Sequence, residues 1–336
     1  MKAMRDLAVV GLGELLWDEL PGGRRLGGAP ANFAVLASRL GVHGILASRL
    51  GQDEPGDAAR EQLGSMPVDS RFLQTDAALP TGTVSVRLQD GQPAYTIHAP
   101  VAWDALEFTP AWAELAARAD AVCWGTLAQR DARSEETIHN FLAATGRACL
   151  RAFDVNLREP FFAPEAVLRS IRKATLLKLN DAEMPELLRL VGLETATPYR
   201  RDEADITKYD EERTGALAGD ARRLLAAHPA LELVAITLGG DGSLLVTRDH
   251  VERHPGVHCK VVDTVGAGDA FTAALVVHRL SGASLAVQSE AANRWGSWVA
   301  SQSGAMPALE EATRTAMETS IAQVVSPGVA TGDRLS

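Results

Sequence analysis

A carboxylate framed by glycines at the start of an apolar helix can take a proton from an attacking hydroxyl. Residues 263–271, DTVGAGDAF, offer this pattern. Gly266 and Gly268 permit backbone angles and close approaches that other residues do not. The first amides of a helix have no intrahelical acceptor, so with Ala267 these glycines would form a positively polarised cup for an anion. Asp269 would stand beside the cup. Stabilised charge on a transferred group next to a proton acceptor is what phosphoryl transfer requires. The same residues also fit a plain glycine turn with Asp269 as the helix N-cap. No GxxxxGK[ST] stretch is present, which excludes a P-loop enzyme.

Four further stretches carry polar residues suited to recognising small molecules. In LWDELPGGRRLGGAPANFA (16–34), Asp18 follows an apolar strand, Gly27 and Gly28 mark a turn, and Asn32 falls near the first turn of a helix. A carboxylate, a two-way amide and bare backbone amides suit hydroxyl groups; they equally suit a loop that caps a helix. In KLNDAEMPELL (178–188), Asn180 and Glu183 have the N-x-x-E spacing of a reciprocal cap. The other reading has Asn180 touching nucleotide phosphates and Glu183 holding a water of Mg²⁺, an ion that keeps most of its waters. In ITLGGDGSLLV (236–246), Thr237, Gly239 and Gly242 stand in a turn open to a ring or to phosphates. In FDVNLREPFF (153–162), Asn156 and Arg158 stand at a strand end, where Arg158 is either solvated or a guanidinium for phosphate or a sugar oxygen. GLGELL (11–16) lacks the third glycine of a dinucleotide-binding turn, and the eight histidines show no metal-ligand spacing.

These positions fall where strands give way to helices. Apolar runs at 6–16, 43–51, 120–127, 148–156, 174–180, 231–239 and 242–247 read as strands, and 260–262 as another that ends at Asp263. Helices are predicted at 29–41, at 53–66 and from about Asp269. This alternation predicts an α/β fold with a doubly wound, mostly parallel sheet, whose ligand sites lie outside the carboxyl ends of strands. Residues 81–100 break the rhythm. Their apolar/polar alternation about QDGQ predicts an antiparallel hairpin, a candidate lid or dimer flap that carries Tyr95. The charged stretch 194–215 reads as a surface insertion without periodicity. One domain over 1–320 with the hairpin inserted, then a flexible tail over 321–336, is expected.

Composition narrows the function. Hydrophobic residues are 46% and charged residues 23% of the 336, as in ordinary globular domains. A net charge of −10 argues against a nucleic-acid partner, which needs a basic face. Cys123, Cys149 and Cys259 lie far apart, as reduced thiols would, and no apolar run approaches the length of a membrane span. A cytoplasmic location without membrane contact is expected.

Taken in order, GGAPANFA, KLNDAE, TLGGDG and DTVGAGDAF resemble the blocks of the ribokinase superfamily, also called the B-type phosphofructokinase family of sugar kinases. The resemblance spans nearly the whole chain. It implies a ribokinase-like fold with a small β lid, and transfer of the γ-phosphoryl of Mg·ATP to a sugar or nucleoside hydroxyl. Asp269 then looks like the catalytic base, with Gly266, Ala267 and Gly268 as the anion hole. Asp18, Gly27, Gly28 and Asn32, with Tyr95 and Asn156, look like sugar-binding positions. Asn180, Thr237, Gly239, Gly242 and Asn293 resemble the nucleotide side, and Glu183 the magnesium-linked glutamate. Asp263, with main-chain oxygens of Val265 and Gly304, is similar to the monovalent-cation site, for K⁺, that many members use. The stretches YTIHAPVAWDAL, WGTLAQR and FDVNLRE look most like bacterial fructokinases, in which Arg158 would face the substrate or the transferred phosphate. Fructose is thus the expected acceptor. Ribose, another ketose, a keto-deoxy sugar acid or a nucleoside is the alternative among enzymes, and a catalytically silent sugar-binding regulator the alternative outside them.

Overall fold

In β1 (Ala8–Leu12), Val9 and Val10 are both fully buried, yet they enter different cores. Successive strand residues point to opposite faces, so this strand is covered on both sides. The same holds for β8 (Ala121–Trp124), β9 (Leu150–Asp154), β10 (Leu176–Asn180) and β11 (Leu233–Thr237), which divide their apolar residues between the two cores. Parallel sheets need such cover on both faces. On one face lie α1 (Ala29–Arg39), α8 (Ala267–Leu280) and α9 (Leu285–Ala300). On the other lie α3 (Pro110–Arg118), α4 (Ala132–Ala144), α5 (Pro164–Ile171), α6 (Met184–Leu190) and α7 (Ile206–Ala227).

The computed structural model describes residues 2–20, 22–89, 92–194 and 206–325, with only the backbone at 86–89, 92–95 and 206–210. With β4 (His43–Gly51), β5 (Asp69–Asp76), β12 (Ser243–Val246) and β13 (Val251–His254), the larger sheet has the order β13-β12-β11-β10-β9-β8-β1-β4-β5. Its strands are parallel except at the β11-β12-β13 edge. Strand numbers rise in both directions from the β8-β1 neighbours, so that pair is the topological switch point. Helices α2 (Glu54–Gly64) and α10 (Glu311–Ala322) complete the regular elements, and no helix among the described residues is long and apolar enough to cross a membrane.

A second sheet has the order β3-β2-β6-β7, from β2 (Leu16–Leu20), β3 (Gly23–Gly27), β6 (Gly82–Gln89) and β7 (Gln92–Ile97). The expected hairpin at 81–100 is therefore half of a larger layer. The run 6–16 is not one strand. Gly13, with φ 144°, turns the chain away after β1 and donates its amide to Ala47, and Leu16 opens a strand of the second sheet.

Three other expectations change. Residues 260–262 form no strand. Val261 and Val262 are 61% and 59% exposed, and the segment is held by the Val262 and Asp263 amides on the Ala300 carbonyl. They pair with no strand, and β13 remains the edge of the sheet among the described residues. The second half of 194–215 belongs to helix α7, while 195–205 lie outside the described residues. At the other terminus a 3₁₀ turn, Gln323–Val325, extends α10, and 326–336 lie outside the described residues.

Candidate active site

Helix α8 starts at Ala267, with Gly266 in the left-handed region at φ 80° as its N-cap. A Cβ on Gly266 would also lie 2.6 Å from Ala305, so both backbone angle and packing demand glycine there. Asp269 is thus the third helical residue, not the cap. Its carboxylate is aimed inward, where Asn32 of α1 donates from Nδ2 to Oδ2 at 2.7 Å. Asn32, expected on the sugar, also holds the candidate base, and its own Oδ1 is buried with no partner among the described residues. The Ala267 amide, expected in the anion cup, is turned back to the Thr264 carbonyl at 3.2 Å. The amides of Gly266, Gly268 and Asp269 have no acceptor among the described residues. The cup survives with Asp269 in Ala267's place.

Beneath the cup lies a lysine that sequence reasoning passed over. Lys178 on β10 is the register partner of Asp154 on β9, and its Nζ donates to Asp154 Oδ1 at 3.0 Å. Thr272 of α8 donates to the other oxygen of Asp154 at 3.2 Å. A Cβ built on Gly268 would come within 3.1 Å of Lys178 Nζ, so the ammonium sits directly against the turn. Burial alone would lower this lysine, but the carboxylates of Asp154, Glu183 and Asp269 outweigh it and keep its pKa raised. Burial, then the charge of Asp154, pushes Asp269 up to about 6; the Asn32 hydrogen bond and the charges of Lys178 and Arg158 act the other way. Glu14, just past β1, is also buried and raised to about 7, by burial first and in part by Asp269. The signal for Lys178 was present, a charge among the leucines of β10, and Asp154 ends β9 directly after two apolar residues.

A small pocket at the β8-β1 switch point joins these groups. Pro30, Trp124, Asp154, Asn156, Asp269 and Thr272 are among its walls. Ligand sites of open α/β sheets occupy this place. Asn156 has φ 36°, uncommon for a residue with a side chain, and its carbonyl accepts from Thr126. Arg158 is exposed, yet its charge reaches both Glu14 and Asp269. Asp18 lies on β2, raised to about 6 by burial and then by Asp263. A Cβ on Gly27 would meet Asp18 Oδ2 at 2.6 Å, so the carboxylate lies against bare backbone. Gly27 ends β3 and Gly28 caps α1, a strand-to-helix junction in place of the expected turn. Tyr95 falls on β7, paired through its backbone with Val86; its side chain lies outside the described residues.

Among the residues expected on the nucleotide side the outcome is mixed. Asn180 and Glu183 form the reciprocal cap: Glu183 N donates to Asn180 Oδ1 at 2.9 Å, and Asn180 N to Glu183 Oε2 at 2.8 Å. The other Glu183 oxygen accepts from Leu157 at 2.9 Å. An ionised carboxylate offers about four lone-pair sites, so the oriented Glu183 retains acceptor capacity for a metal-bound water, and Asn180 Nδ2 has no acceptor among the described residues. Asn293 is buried, with its amide nitrogen committed to Ser243 and the Ser289 carbonyl at 2.8 Å each; only its carbonyl oxygen is left for a ligand. Thr237 donates weakly to Leu179, and Gly239 has open space where a Cβ would stand. Gly242 is demanded by its own fold, since a Cβ there would strike the His254 carbonyl at 2.1 Å. Asp263, Val265 and Gly304 do lie together: the Val265 and Gly304 amides both donate to the Asp263 carboxylate.

Known proteins share this fold. The family model described as pfkB family carbohydrate kinase matches residues 21–312. A structure titled "uncharacterized sugar kinase PH1459", from Pyrococcus horikoshii, superposes with a TM-score of 0.75 at 27% identity, covering 95% of this chain and 99% of that one. The fructokinase of Escherichia coli is 29% identical over 335 residues, 89% of this chain and 94% of that protein. A fructokinase double mutant of Vibrio cholerae, solved with fructose, ADP and potassium ion, shares the fold with a TM-score of 0.72 at 24% identity, over 94% of this chain and 99% of that one. The glycine turn, its buried aspartate and the two-sheet α/β architecture thus have one source: the chain belongs to the pfkB family of carbohydrate kinases.

Proposed function

We propose that the chain transfers the γ-phosphoryl of Mg·ATP to fructose, giving fructose 6-phosphate. The observation that carries the phosphotransfer reading is Asp269: a buried carboxylate near pH 6, held by Asn32, at the mouth of three unpaired helix amides. The acceptor hydroxyl attacks phosphorus in line; its O–H proton passes to an oxygen of Asp269 as the new O–P bond forms and the bond to the ADP oxygen breaks. A base near pH 6 is ionised at neutral pH yet basic enough to accept that proton. The amides of Gly266, Gly268 and Asp269, backed by the Lys178 ammonium, stabilise charge on the transferred group. Glu183 fits a water-mediated magnesium contact, and Mg²⁺ when bound supplies charge neutralisation on the phosphates. Asn180 Nδ2 and the 237–242 turn contact the nucleotide. Asp18 and Asn156 bind the sugar, Arg158 faces the substrate or its phosphate, and the β3-β2-β6-β7 sheet closes as a lid to exclude water.

Fructose rests on the relatives called fructokinase and on the WGTLAQR and FDVNLRE stretches. The test is ADP release measured across ketoses, aldoses, sugar acids and nucleosides. Fructose should give the highest kcat/KM. A tenfold preference for a sugar acid or a nucleoside would overturn the assignment of substrate, and silence on every acceptor would overturn phosphotransfer itself.

A further inference from the structure

One ion pair joins the lid sheet to the transfer turn. Arg25 on β3 places Nη1 3.1 Å from Asp263 Oδ2. Asp263 is the residue that would offer its carboxylate to a monovalent cation, yet each of its oxygens already accepts an N–H. Oδ1 takes the Val265 amide at 3.0 Å; Oδ2 takes the Gly304 amide at 3.1 Å together with Arg25. Three N–H donors leave this carboxylate about one of its four lone-pair sites, where a cation site wants several free oxygens converging on one point. Arg25 also overlies Gly304, where a Cβ would lie 3.8 Å from the same Nη1. The guanidinium thus stands on the carboxylate a bound K⁺ would need, and like charges repel there. The donor set around Asp263 does not fit K⁺.

Arg25 is also placed to link two parts of the site. It is the direct cross-strand partner of Asp18 in the β2-β3 pair, so the two side chains share a face. Asp18 feels the charge of Asp263, to which Arg25 is paired.

We infer that Arg25 is a built-in replacement for the monovalent cation: its guanidinium neutralises Asp263, holds the 263–266 turn in its transfer geometry, and anchors the lid strand to it. Arg25 is a positioning residue, and this role rests on reading the Asp269 turn as the phosphoryl-transfer site. It makes turnover independent of K⁺.

The test compares the purified full chain with Arg25→Ala and Arg25→Lys, titrated with KCl or NaCl against tetramethylammonium chloride at constant ionic strength. Two readouts are taken: turnover of the best acceptor, and the thermal midpoint with ADP present. The unaltered chain should change less than about twofold in either cation. Arg25→Ala should fall about three- to fivefold in tetramethylammonium, the scale of one partly exposed ion pair, and K⁺ should restore both turnover and midpoint. Arg25→Lys should lie between. Strong K⁺ activation of the unaltered chain overturns the inference, and so does an Arg25→Ala variant that ignores K⁺. If no acceptor is turned over in any salt, phosphotransfer fails, and the K⁺ response of the midpoint alone still decides the role of Arg25.

Discussion

Replacing Asp269 by Asn separates the chemistry of this carboxylate from its energetics. Asp269 sits near 6 in the folded chain against 3.8 ordinarily, chiefly because it is buried. A carboxyl whose pKa is raised by folding binds its proton more tightly in the native state, so its ionisation costs stability. That cost is absent below pH 3.8, grows as pH rises toward 6 and is complete above it. About two pKa units correspond to roughly 3 kcal/mol. Asn is neutral throughout and still accepts the Asn32 hydrogen bond; its amide adds a donor where Asn32 Oδ1 has none. The charge of Asp269 also helps to raise Glu14, so its removal acts in the same direction there. Without ligands, the Asp269→Asn midpoint should match the unaltered chain near pH 4 and exceed it by about 4 °C at pH 8. Turnover should move the opposite way, falling about 10²–10⁴-fold while the sugar Kd holds within a few-fold. The unaltered chain should lose kcat/KM about tenfold per pH unit below about 6. Scanning fluorimetry from pH 4 to 8 and a coupled ADP assay supply both curves. A midpoint difference that does not vary with pH would refute the burial argument; near-normal kcat would refute the base.

Two further substitutions test the neighbours. Lys178→Met leaves the Asp154 carboxylate buried opposite an apolar stem, and should cost about 3–5 kcal/mol in denaturant unfolding. Because Lys178 holds Asp269 down, its loss should also shift the acid limb of the pH–rate profile to higher pH; an unmoved limb would place the lysine outside the site. Asn32→Ala removes the 2.7 Å bond to Asp269. A hydrogen bond to a charged group is worth about 1.5–3 kcal/mol, so kcat should drop roughly 10- to 100-fold, again with a raised acid limb. An effect on sugar KM alone would return Asn32 to the sugar.

Local patterning made most of the framework legible. The strand–helix alternation, the QDGQ hairpin and the N-x-x-E cap each depend on neighbours within a few residues, and all three are present. The glycine turn was legible for the same reason, down to the identity of the aspartate beside it. What failed needed partners far along the chain. Val261 and Val262 have a strand's composition, yet their segment is held on the Ala300 carbonyl of α9 and not on a strand. Leu16–Leu20 continues the apolar run of β1, and only its pairing with β3 and β6 moves it to the lid sheet. Gly11, whose stretch lacks the third glycine of a dinucleotide turn, is needed because a Cβ there would lie 2.0 Å from the Pro30 carbonyl as α1 crosses β1.

The chemistry divides along the same line. Asn32 and Asp269 are 237 residues apart and meet because α1 and α8 pack on one face of the sheet. Lys178 and Asp154 meet because β10 and β9 are neighbours in register. A charge within a buried strand is rarely left unpaired, so each of those two residues announced that a partner existed without saying which. The adjacent strands answer that question, and the pair then appears as the floor of the site: one ammonium set against an excess of carboxylates, under a turn of free amides. A floor of that sign keeps Asp269 reluctant to ionise, while the amides and the ammonium favour negative charge arriving on a transferred phosphoryl. Both effects are needed at one place for a hydroxyl to lose its proton only as phosphorus is attacked.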